Sequence, residues 1–167
     1  DAKQQNKPYF AFHVTYQGHG PYADNTLVWS DEKVYENPSV SPQSEYILNN
    51  YFASVMNTSE NMKNIINALR EDDEPCVVLF FGDHKPWLGD GNSVYNELGI
   101  NLDLSTEQGY LNYYATEYIF WANNKAKQVL GNDFEGQDET ISTNYLMNKL
   151  FDVCLWEKSA FMQYTDS

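Results

Sequence analysis

Basic residues and cysteines are scarce in this 167-residue sequence. Ten lysines and arginines stand against 24 aspartates and glutamates, giving a formal net charge of −14. Binding of DNA or RNA needs lysine and arginine to neutralise phosphates, so this charge argues against a nucleic-acid partner and against docking on an anionic lipid surface. The two cysteines, Cys76 and Cys154, form no CxxC pair, and each lies in an apolar run typical of a buried free thiol.

Long apolar runs are also missing. No stretch approaches the roughly 18 consecutive apolar residues that indicate a membrane-spanning helix. The sequence begins at Asp1 without an initiator methionine or the basic and apolar regions of a signal peptide, so we expect an excised piece of a longer protein. Large side chains are nonetheless plentiful, since 42% of residues are hydrophobic and 16% aromatic, which is enough to build a core.

Three short segments have the composition of buried strands. Residues 9–16 are aromatic and β-branched and are followed by a glycine-rich turn. Residues 76–81 are apolar without alternation, which is typical of a strand covered on both faces in a parallel sheet. Residues 118–122 form a further apolar run.

A long amphipathic helix is predicted between the first two of these strands. Ser41 supplies a hydroxyl N-cap, Pro42 suits the first helical position, and apolar residues recur every three or four positions, predicting a helix over 43–70. Thr58-Ser59 is a candidate weak point in it. Shorter helices are expected around 94–98 or 106–112 within a long Gly/Asn/Asp-rich loop at 85–112, at 125–130 before Gly131, and after a cap at Ser142 or Thr143.

The order of strand, helix and strand predicts a right-handed βαβ unit. This pattern indicates an α/β fold with a parallel sheet. Neither an internal repeat nor a boundary for a second domain is visible, so residues 1–167 are expected to form a single unit.

A carboxylate and an imidazole are adjacent where the 76–81 strand ends, in Gly82-Asp83-His84. Open α/β sheets bind ligands beyond the carboxyl ends of their strands, and Gly82 lets the backbone turn there. A carboxylate oxygen together with an imidazole nitrogen suits Zn, Mn or Fe better than Ca. The alternative, that Asp83 caps a turn and His84 is a polar loop residue, has equal weight on the dipeptide alone.

Two further candidate site residues lie in loops. His19 is flanked by Gly18 and Gly20 beyond the 9–16 segment, where it is poorly explained as core and can approach an anion; the alternative is a plain glycine turn. Trp87 follows the Asp-His pair, and loop tryptophans can stack on sugar or glycerol groups, with loop packing as the alternative.

The order of these motifs resembles the C-terminal half of a sulfatase-like domain. It is most similar to the lipoteichoic acid synthase and phosphoglycerol transferase branch of the alkaline phosphatase superfamily. The matching stretches are His-Gly-Pro-Tyr at 19–22, the helix ending in Leu69-Arg70, Phe-Gly-Asp-His-Lys-Pro-Trp-Leu-Gly at 81–89, Tyr-Ile-Phe-Trp-Ala-Asn at 118–123 and Ile-Ser-Thr-Asn-Tyr-Leu at 141–146.

The resemblance implies a partial alkaline-phosphatase-like domain: three layers, with a mostly parallel sheet and flanking helices. In that family an acidic residue, a nucleophilic Thr and an Asp-His pair hold one divalent metal, usually Mn. Asp83 and His84 match the Asp-His pair, and His19 matches the histidine that contacts the phosphate group. Mn is therefore the expected cofactor, with Zn, Mg or Ca as alternatives. The Thr attacks a phosphodiester to give a phospho-threonine, which an acceptor hydroxyl resolves.

The family's Thr nucleophile and first acidic ligand belong to the N-terminal half of such domains, and nothing before Pro8 matches them. We therefore expect residues 1–167 to be the C-terminal half of a catalytic domain that binds metal weakly and is inactive alone. Its expected partners are the missing half and, through an exposed sheet edge, a second copy in a homodimer.

The expected activity of the whole is transfer of phosphoglycerol or phosphoethanolamine, or phosphodiester hydrolysis. Its substrates would be phospholipid head groups, glycerol-phosphate polymers or other cell-wall polymers. The expected location is the extracellular face of the cell membrane, with an N-terminal membrane tether outside this sequence. Two alternatives stay open: a sulfatase of the same superfamily, and a non-catalytic glycan-binding module that uses exposed Tyr and Trp side chains.

Overall fold

The computed structural model describes residue 5, residues 7–137 and residues 140–166; Asp1, where the sequence begins, lies outside them. The regular elements are helix α1 at Pro42–Arg70, strand β1 at Val77–Phe81, helices α2 at Ser93–Glu97 and α3 at Glu107–Tyr114, strand β2 at Tyr118–Ala122, and helices α4 at Asn124–Leu130, α5 at Leu146–Val153 and α6 at Ala160–Thr165. Single 3-10 turns precede α2 at Asp90–Asn92 and α5 at Thr143–Tyr145.

Helix α1 confirms the predicted 43–70 helix almost to the residue. The Ser44 backbone N–H donates to the Ser41 hydroxyl at 3.3 Å, as expected of an N-cap, and Arg70 lies in the last turn, where a cation favours the helix dipole. Its seven buried residues all lie between Ser44 and Ser54, so the first half of the helix is the half that carries a core.

The chain divides into two compact units, and the division passes through α1 between Thr58 and Ser59. The first unit comprises Asp1–Thr58 and Pro86–Leu98, and the second comprises Ser59–Lys85 and Gly99–Ser167. Buried apolar side chains of the first unit are Ile47, Leu48, Ala53, Leu88, Val94 and Tyr95; those of the second are Ala122, Ala126, Leu146, Leu150 and Cys154. In the part of the chain that the structure describes, no helix combines the length and apolar character needed to cross a membrane.

Strands β1 and β2 confirm the two predicted strands at 76–81 and 118–122, but they pair antiparallel. Val77 lies opposite Ala122 and Phe81 opposite Tyr118, and the ladder extends to Gly82, whose N–H donates to the Glu117 carbonyl oxygen at 3.2 Å. The predicted parallel βαβ unit is also wrong for the described residues, because residues 9–16, its first strand, form no strand there. Apolar runs report burial on two faces and carry no information on strand direction. The mixture of helices and a small sheet agrees with a partial α/β domain.

The prediction of a strand at residues 9–16 is wrong. This segment belongs to no sheet among the described residues, and five of its large side chains are exposed by 65 to 80%. Aromatic and β-branched composition expresses a preference for a half-buried pleated surface, but a strand forms only where a neighbour accepts and donates its backbone hydrogen bonds.

The shorter helices follow their local signals. Both expected positions in the 85–112 loop carry a helix, α2 and α3. Helix α4 ends at Gly131, whose φ of 64° is the left-handed conformation typical of a C-terminal glycine. Helix α5 begins after a 3-10 turn that Ser142 precedes, and α6 was not predicted. Neither Cys76 nor Cys154 forms a disulfide among the described residues, as expected, and Cys154 is buried, but Cys76 is partly exposed.

The side chain of Asn123 joins the elements of the second unit. Its amide NH2 donates to the carbonyl oxygens of Leu69, Asp72 and Glu74, which close α1 and lead into β1. Its Oδ1 accepts from the backbone N–H groups of Cys76 and Ala126, so it also caps α4. Asn123 is 2% exposed, and its one side chain pairs with these five backbone groups.

We expect Asn123→Ala to lower the free energy of unfolding by roughly 2–4 kcal/mol, because it removes a buried amide that pairs with five backbone groups. Urea denaturation measures the loss. The neighbouring Asn124, which is exposed at the start of α4, supplies the matched control, and Asn124→Ala should change stability by less than about 0.5 kcal/mol. Equal losses in the two variants would contradict the assigned role.

Glu97 closes the N-terminus of α1 from outside the helix. Its carboxylate accepts from the Ser41 N–H at 2.6 Å, the Ser44 hydroxyl at 2.7 Å and the Ser41 hydroxyl at 3.0 Å. These hydrogen bonds, the Ser41 N–H foremost, hold the pKa of the Glu97 carboxyl below its usual range.

This interaction predicts a pH-dependent contribution to stability. Because the folded pKa lies below the unfolded value of about 4.3, the stabilisation is present above that pH and is lost as the pH falls through the folded pKa. The difference in unfolding free energy between wild type and Glu97→Gln should therefore be largest near neutral pH and shrink in acid. For Glu32→Gln, a change at an exposed glutamate of the same unit, the difference should stay near zero throughout.

Candidate functional site

Gly82, Asp83 and His84 directly follow β1 and lie at the surface. The Thr116 hydroxyl donates to the Gly82 carbonyl oxygen at 2.6 Å, and the Gly82 N–H binds the neighbouring Glu117 carbonyl. A Cβ at Gly82 would lie 3.2 Å from the Thr116 Cβ, so glycine permits this close approach. The backbone immediately before Asp83 is thus held on both sides by the segment that leads into β2.

Asp83 and His84 lie side by side. Asp83 Oδ1 accepts from the His84 backbone N–H at 2.9 Å, and Asp83 Oδ2 lies 3.7 Å from His84 Nε2. His84 Nδ1 lies 2.8 Å from the Lys85 carbonyl oxygen, and since a carbonyl can only accept, Nδ1 carries the proton. In the neutral ring Nε2 is then the basic nitrogen on the Asp83 side, the arrangement seen when a backbone carbonyl orients a metal-binding histidine.

The pair fits part of a metal site. Bonds of about 2.1 Å from an ion to a carboxylate oxygen and to an imidazole nitrogen are compatible with a 3.7 Å separation of those two atoms. Both residues are exposed, so an ion could reach them without unfolding. Within the described ranges no group of three His, Cys, Asp or Glu residues is placed to hold a metal. Asp83 and His84 can supply two ligands, and further ligands would have to come from elsewhere.

His19 lies in a tight turn of the first unit. Its backbone N–H donates to the Tyr16 carbonyl oxygen at 3.3 Å, and its ring stacks on the Tyr16 ring at 4.6 Å between centroids. Gly18 has φ 76° at the position where such a turn requires a left-handed residue. The imidazole is exposed, as a residue that contacts an anion must be.

Trp87 is 59% exposed and flanked by well-anchored neighbours. The Tyr95 hydroxyl donates to the Pro86 carbonyl oxygen at 2.9 Å, and Leu88 on the other side is 3% exposed. An exposed ring on a fixed backbone suits contact with a ligand, and its role stays a prediction.

The structure thus brings two of the four predicted site residues together, Asp83 with His84. His19 and Trp87 belong to the first unit, whereas Asp83 and His84 belong to the second. Sequence reasoning missed Thr116, which supports Gly82. In an antiparallel pair, the residues just before β2 lie beside the end of β1, so an antiparallel prediction would have pointed to Thr116. We assumed a parallel sheet, in which they would not be neighbours.

Comparison with known proteins identifies relatives. The sequence model of the Sulfatase family matches residues 1–154. A protein of Rhizobium meliloti (strain 1021) named "Putative cyclic beta-1,2-glucan modification protein" is 30% identical over 107 residues, which is 64% of this chain and 16% of that relative. The match therefore spans about one sixth of that relative's length. No solved structure matches the chain.

We expect Thr116→Val to lower the free energy of unfolding by about 1 kcal/mol, because it removes the hydroxyl that donates to Gly82 while keeping the side-chain shape. It should also speed amide hydrogen exchange at Gly82 and shift the Asp83 and His84 backbone resonances. Thr116→Ser keeps the hydroxyl and should behave as wild type. If valine and serine gave the same shifts, the hydroxyl would have no supporting role.

Proposed function

Since the chain belongs to the sulfatase family, whose model covers residues 1–154, we propose that it is the C-terminal part of a metal-dependent ester-cleaving domain. More specifically, the domain transfers phosphoglycerol or phosphoethanolamine to an acceptor hydroxyl, or hydrolyses a phosphodiester. Domains of this family usually bind a divalent metal. Asp83 and His84 would hold it here, with Mn as the proposed ion.

One observation carries this proposal: the orientation of the Asp83-His84 pair. The Lys85 carbonyl fixes the proton on Nδ1, and the Nε2 lone pair lies 3.7 Å from an exposed carboxylate oxygen. A histidine that served only as a polar loop residue would need neither this tautomer nor the adjacent carboxylate. The bound ion would supply positive charge that neutralises ester oxygens and lowers the pKa of a hydroxyl nucleophile.

His19 has a separate role in this proposal. It donates a hydrogen bond to the transferred phosphate group and thereby stabilises negative charge that grows during the reaction. Its exposure and its fixed turn support that role. The nucleophile and a further acidic ligand would come from an N-terminal half of the same domain, the partner that completes the site.

The name of the relative supports a polymer as the acceptor. That protein is described as modifying a cyclic β-1,2-glucan, and addition of a phosphoglycerol group to a glucan hydroxyl is one modification that a phosphotransferase performs. We propose phospholipid head groups or glycerol-phosphate polymers as donors, and Trp87 as a side chain that stacks on a sugar or glycerol group. The extracellular face of the membrane is the compartment where such donors and polymers meet.

The family model also supports a second candidate, hydrolysis of sulfate esters. Sulfate and phosphate esters place similar negatively charged oxygens around the centre that is attacked. The same metal ligands and the same His19 therefore serve both reactions, and the nucleophile decides between them. An assay of the longer protein that contains this chain distinguishes the two. Incorporation of labelled glycerol phosphate into glucan supports the first, and release of sulfate from an aryl sulfate supports the second.

Metal binding by the chain itself can be measured without any enzymatic assay. The chain has three histidines, so Mn²⁺ titration followed by broadening of their ring proton signals compares sites within one molecule. We expect the His84 signals to broaden at a lower Mn²⁺ concentration than those of His13. Asp83→Asn should raise the concentration required about 10-fold or more, because it removes a charged ligand.

The matched control is Asp90→Asn, a change at another exposed aspartate, which should leave the His84 titration unchanged. Equal broadening of all three histidines, or no effect of Asp83→Asn, would show that the chain attracts Mn²⁺ only through its net charge of −14.

A further inference from the structure

The loop that carries His19 is closed by a side chain outside the predicted site. The Tyr22 hydroxyl donates to the Gly18 carbonyl oxygen at 2.7 Å, four residues back along the chain. The bond spans His19, Gly20 and Pro21, so those three residues lie inside a ring that this hydrogen bond closes.

Helix α1 holds both ends of this closed loop. A Cβ at Gly18 would lie 3.0 Å from the Ser54 hydroxyl, so Gly18 sits directly against the helix. The Tyr22 ring meets the Tyr51 ring edge-on, with centroids 5.7 Å apart at 71°. Beyond the loop, the Asn50 amide donates to the Ala23 carbonyl oxygen at 2.9 Å, which anchors the chain as it leaves. The loop is therefore fixed by tertiary contacts, since Tyr22 reaches α1 from one side and Gly18 from the other.

The surroundings of Tyr22 keep its hydroxyl protonated, so that it can always donate a hydrogen bond. Tyr22 is half-buried, and this burial, with smaller effects of Tyr51 and Tyr95, raises the pKa of its hydroxyl to about 12. The hydroxyl thus keeps its proton over the whole range in which proteins function. A Cβ at Gly20 would come within 3.3 Å of the Tyr22 ring, so the ring also lies against the backbone that follows His19.

That backbone decides which nitrogen of His19 carries the proton. His19 Nδ1 lies 2.7 Å from the Gly20 carbonyl oxygen, and because the carbonyl can only accept, Nδ1 is the donor. The orientation of the Gly20 peptide thus sets the tautomer of the neutral ring. In the protonated ring Nδ1–H keeps this hydrogen bond, and Nε2–H is the donor that would meet an ester oxygen.

We propose that Tyr22 is a positioning residue for His19: by binding the Gly18 carbonyl and packing on Gly20, it holds the Gly20 carbonyl where that carbonyl accepts a hydrogen bond from Nδ1–H. In the protonated ring Nε2–H is then the donor to the substrate's charged oxygens. The consequence for catalysis rests on the proposed function. The effect on the His19 ring does not, and it can be measured separately.

The first experiment reads the tautomer directly in the 167-residue chain. Long-range ¹H–¹⁵N correlation spectra distinguish an Nδ1–H ring from an Nε2–H ring. We expect His19 of the wild type to be an Nδ1–H ring and the Nδ1–H fraction to fall in Tyr22→Phe, which keeps the aromatic ring and loses the hydroxyl. Tyr95→Phe is the matched control, because burial also raises the pKa of Tyr95 to about 12, and its hydroxyl binds the Pro86 carbonyl instead. That control should leave His19 as in wild type.

An unchanged His19 tautomer in a folded Tyr22→Phe chain would overturn the proposal. If Tyr22→Phe does not fold, the wild type alone decides. Nuclear Overhauser contacts from the Tyr22 ring to the Gly20 α-protons, together with an Nδ1–H His19, support the proposal, and their absence overturns it.

The second experiment asks whether positioning matters for the reaction of the longer protein. Tyr22→Phe should lower kcat for the ester substrate about 10-fold with a smaller change in KM, and it should have no further effect in a His19→Ala background, since residues that act through one another are not additive. Independent, additive losses would overturn the catalytic consequence. A protein inactive in every form would instead count against the proposed function, while the tautomer measurement would still decide the role of Tyr22.

Discussion

Buried asparagine side chains hold this chain together in places where a larger sheet would otherwise do so. Backbone N–H and C=O groups in irregular segments need partners when they are buried, and one amide can both donate and accept. Asn49 pairs with the backbone at Val34 and Tyr35, and Asn50 with that at Ala23 and Val28. Asn123 has the same role in the second unit. These three amides fix long irregular segments of the chain that the described two-stranded sheet does not include.

Anchoring of the backbone by side chains also explains why the candidate site residues can be exposed and still well oriented. Asp83, His84 and His19 all face solvent, but the peptides beside them are fixed by Thr116 and Tyr22. Each imidazole donates a hydrogen bond from Nδ1–H to the carbonyl of the residue that follows it. Under the proposed function this shared arrangement would serve two roles: a basic Nε2 for a metal at His84, and a protonated Nε2–H for an ester oxygen at His19.

Charge sets the conditions under which such a site works. A chain with a net charge of −14 repels an anionic donor, and repulsion between exposed charges is screened beyond about 10 Å at moderate salt. Under the proposed function, attraction of an anionic donor would therefore be local, from a bound metal ion and from histidine. A neutral glucan acceptor would not experience this repulsion. In that proposal the acidity of the surface would affect donor binding more than acceptor binding.

The amino-acid sequence by itself determined the elements whose signals are local. The cap at Ser41-Pro42, the period of α1, the apolar runs of β1 and β2 and the glycine after α4 predicted helices and strands that the structure contains. It also placed Asp83 and His84 at a strand end. Only the tertiary structure decided that β1 and β2 run antiparallel, that 9–16 forms no strand, and that Thr116 and Tyr22 support the site. Those outcomes depend on hydrogen bonds and packing between groups that are brought together by the tertiary fold. Composition and periodicity describe local preferences and do not identify such partners.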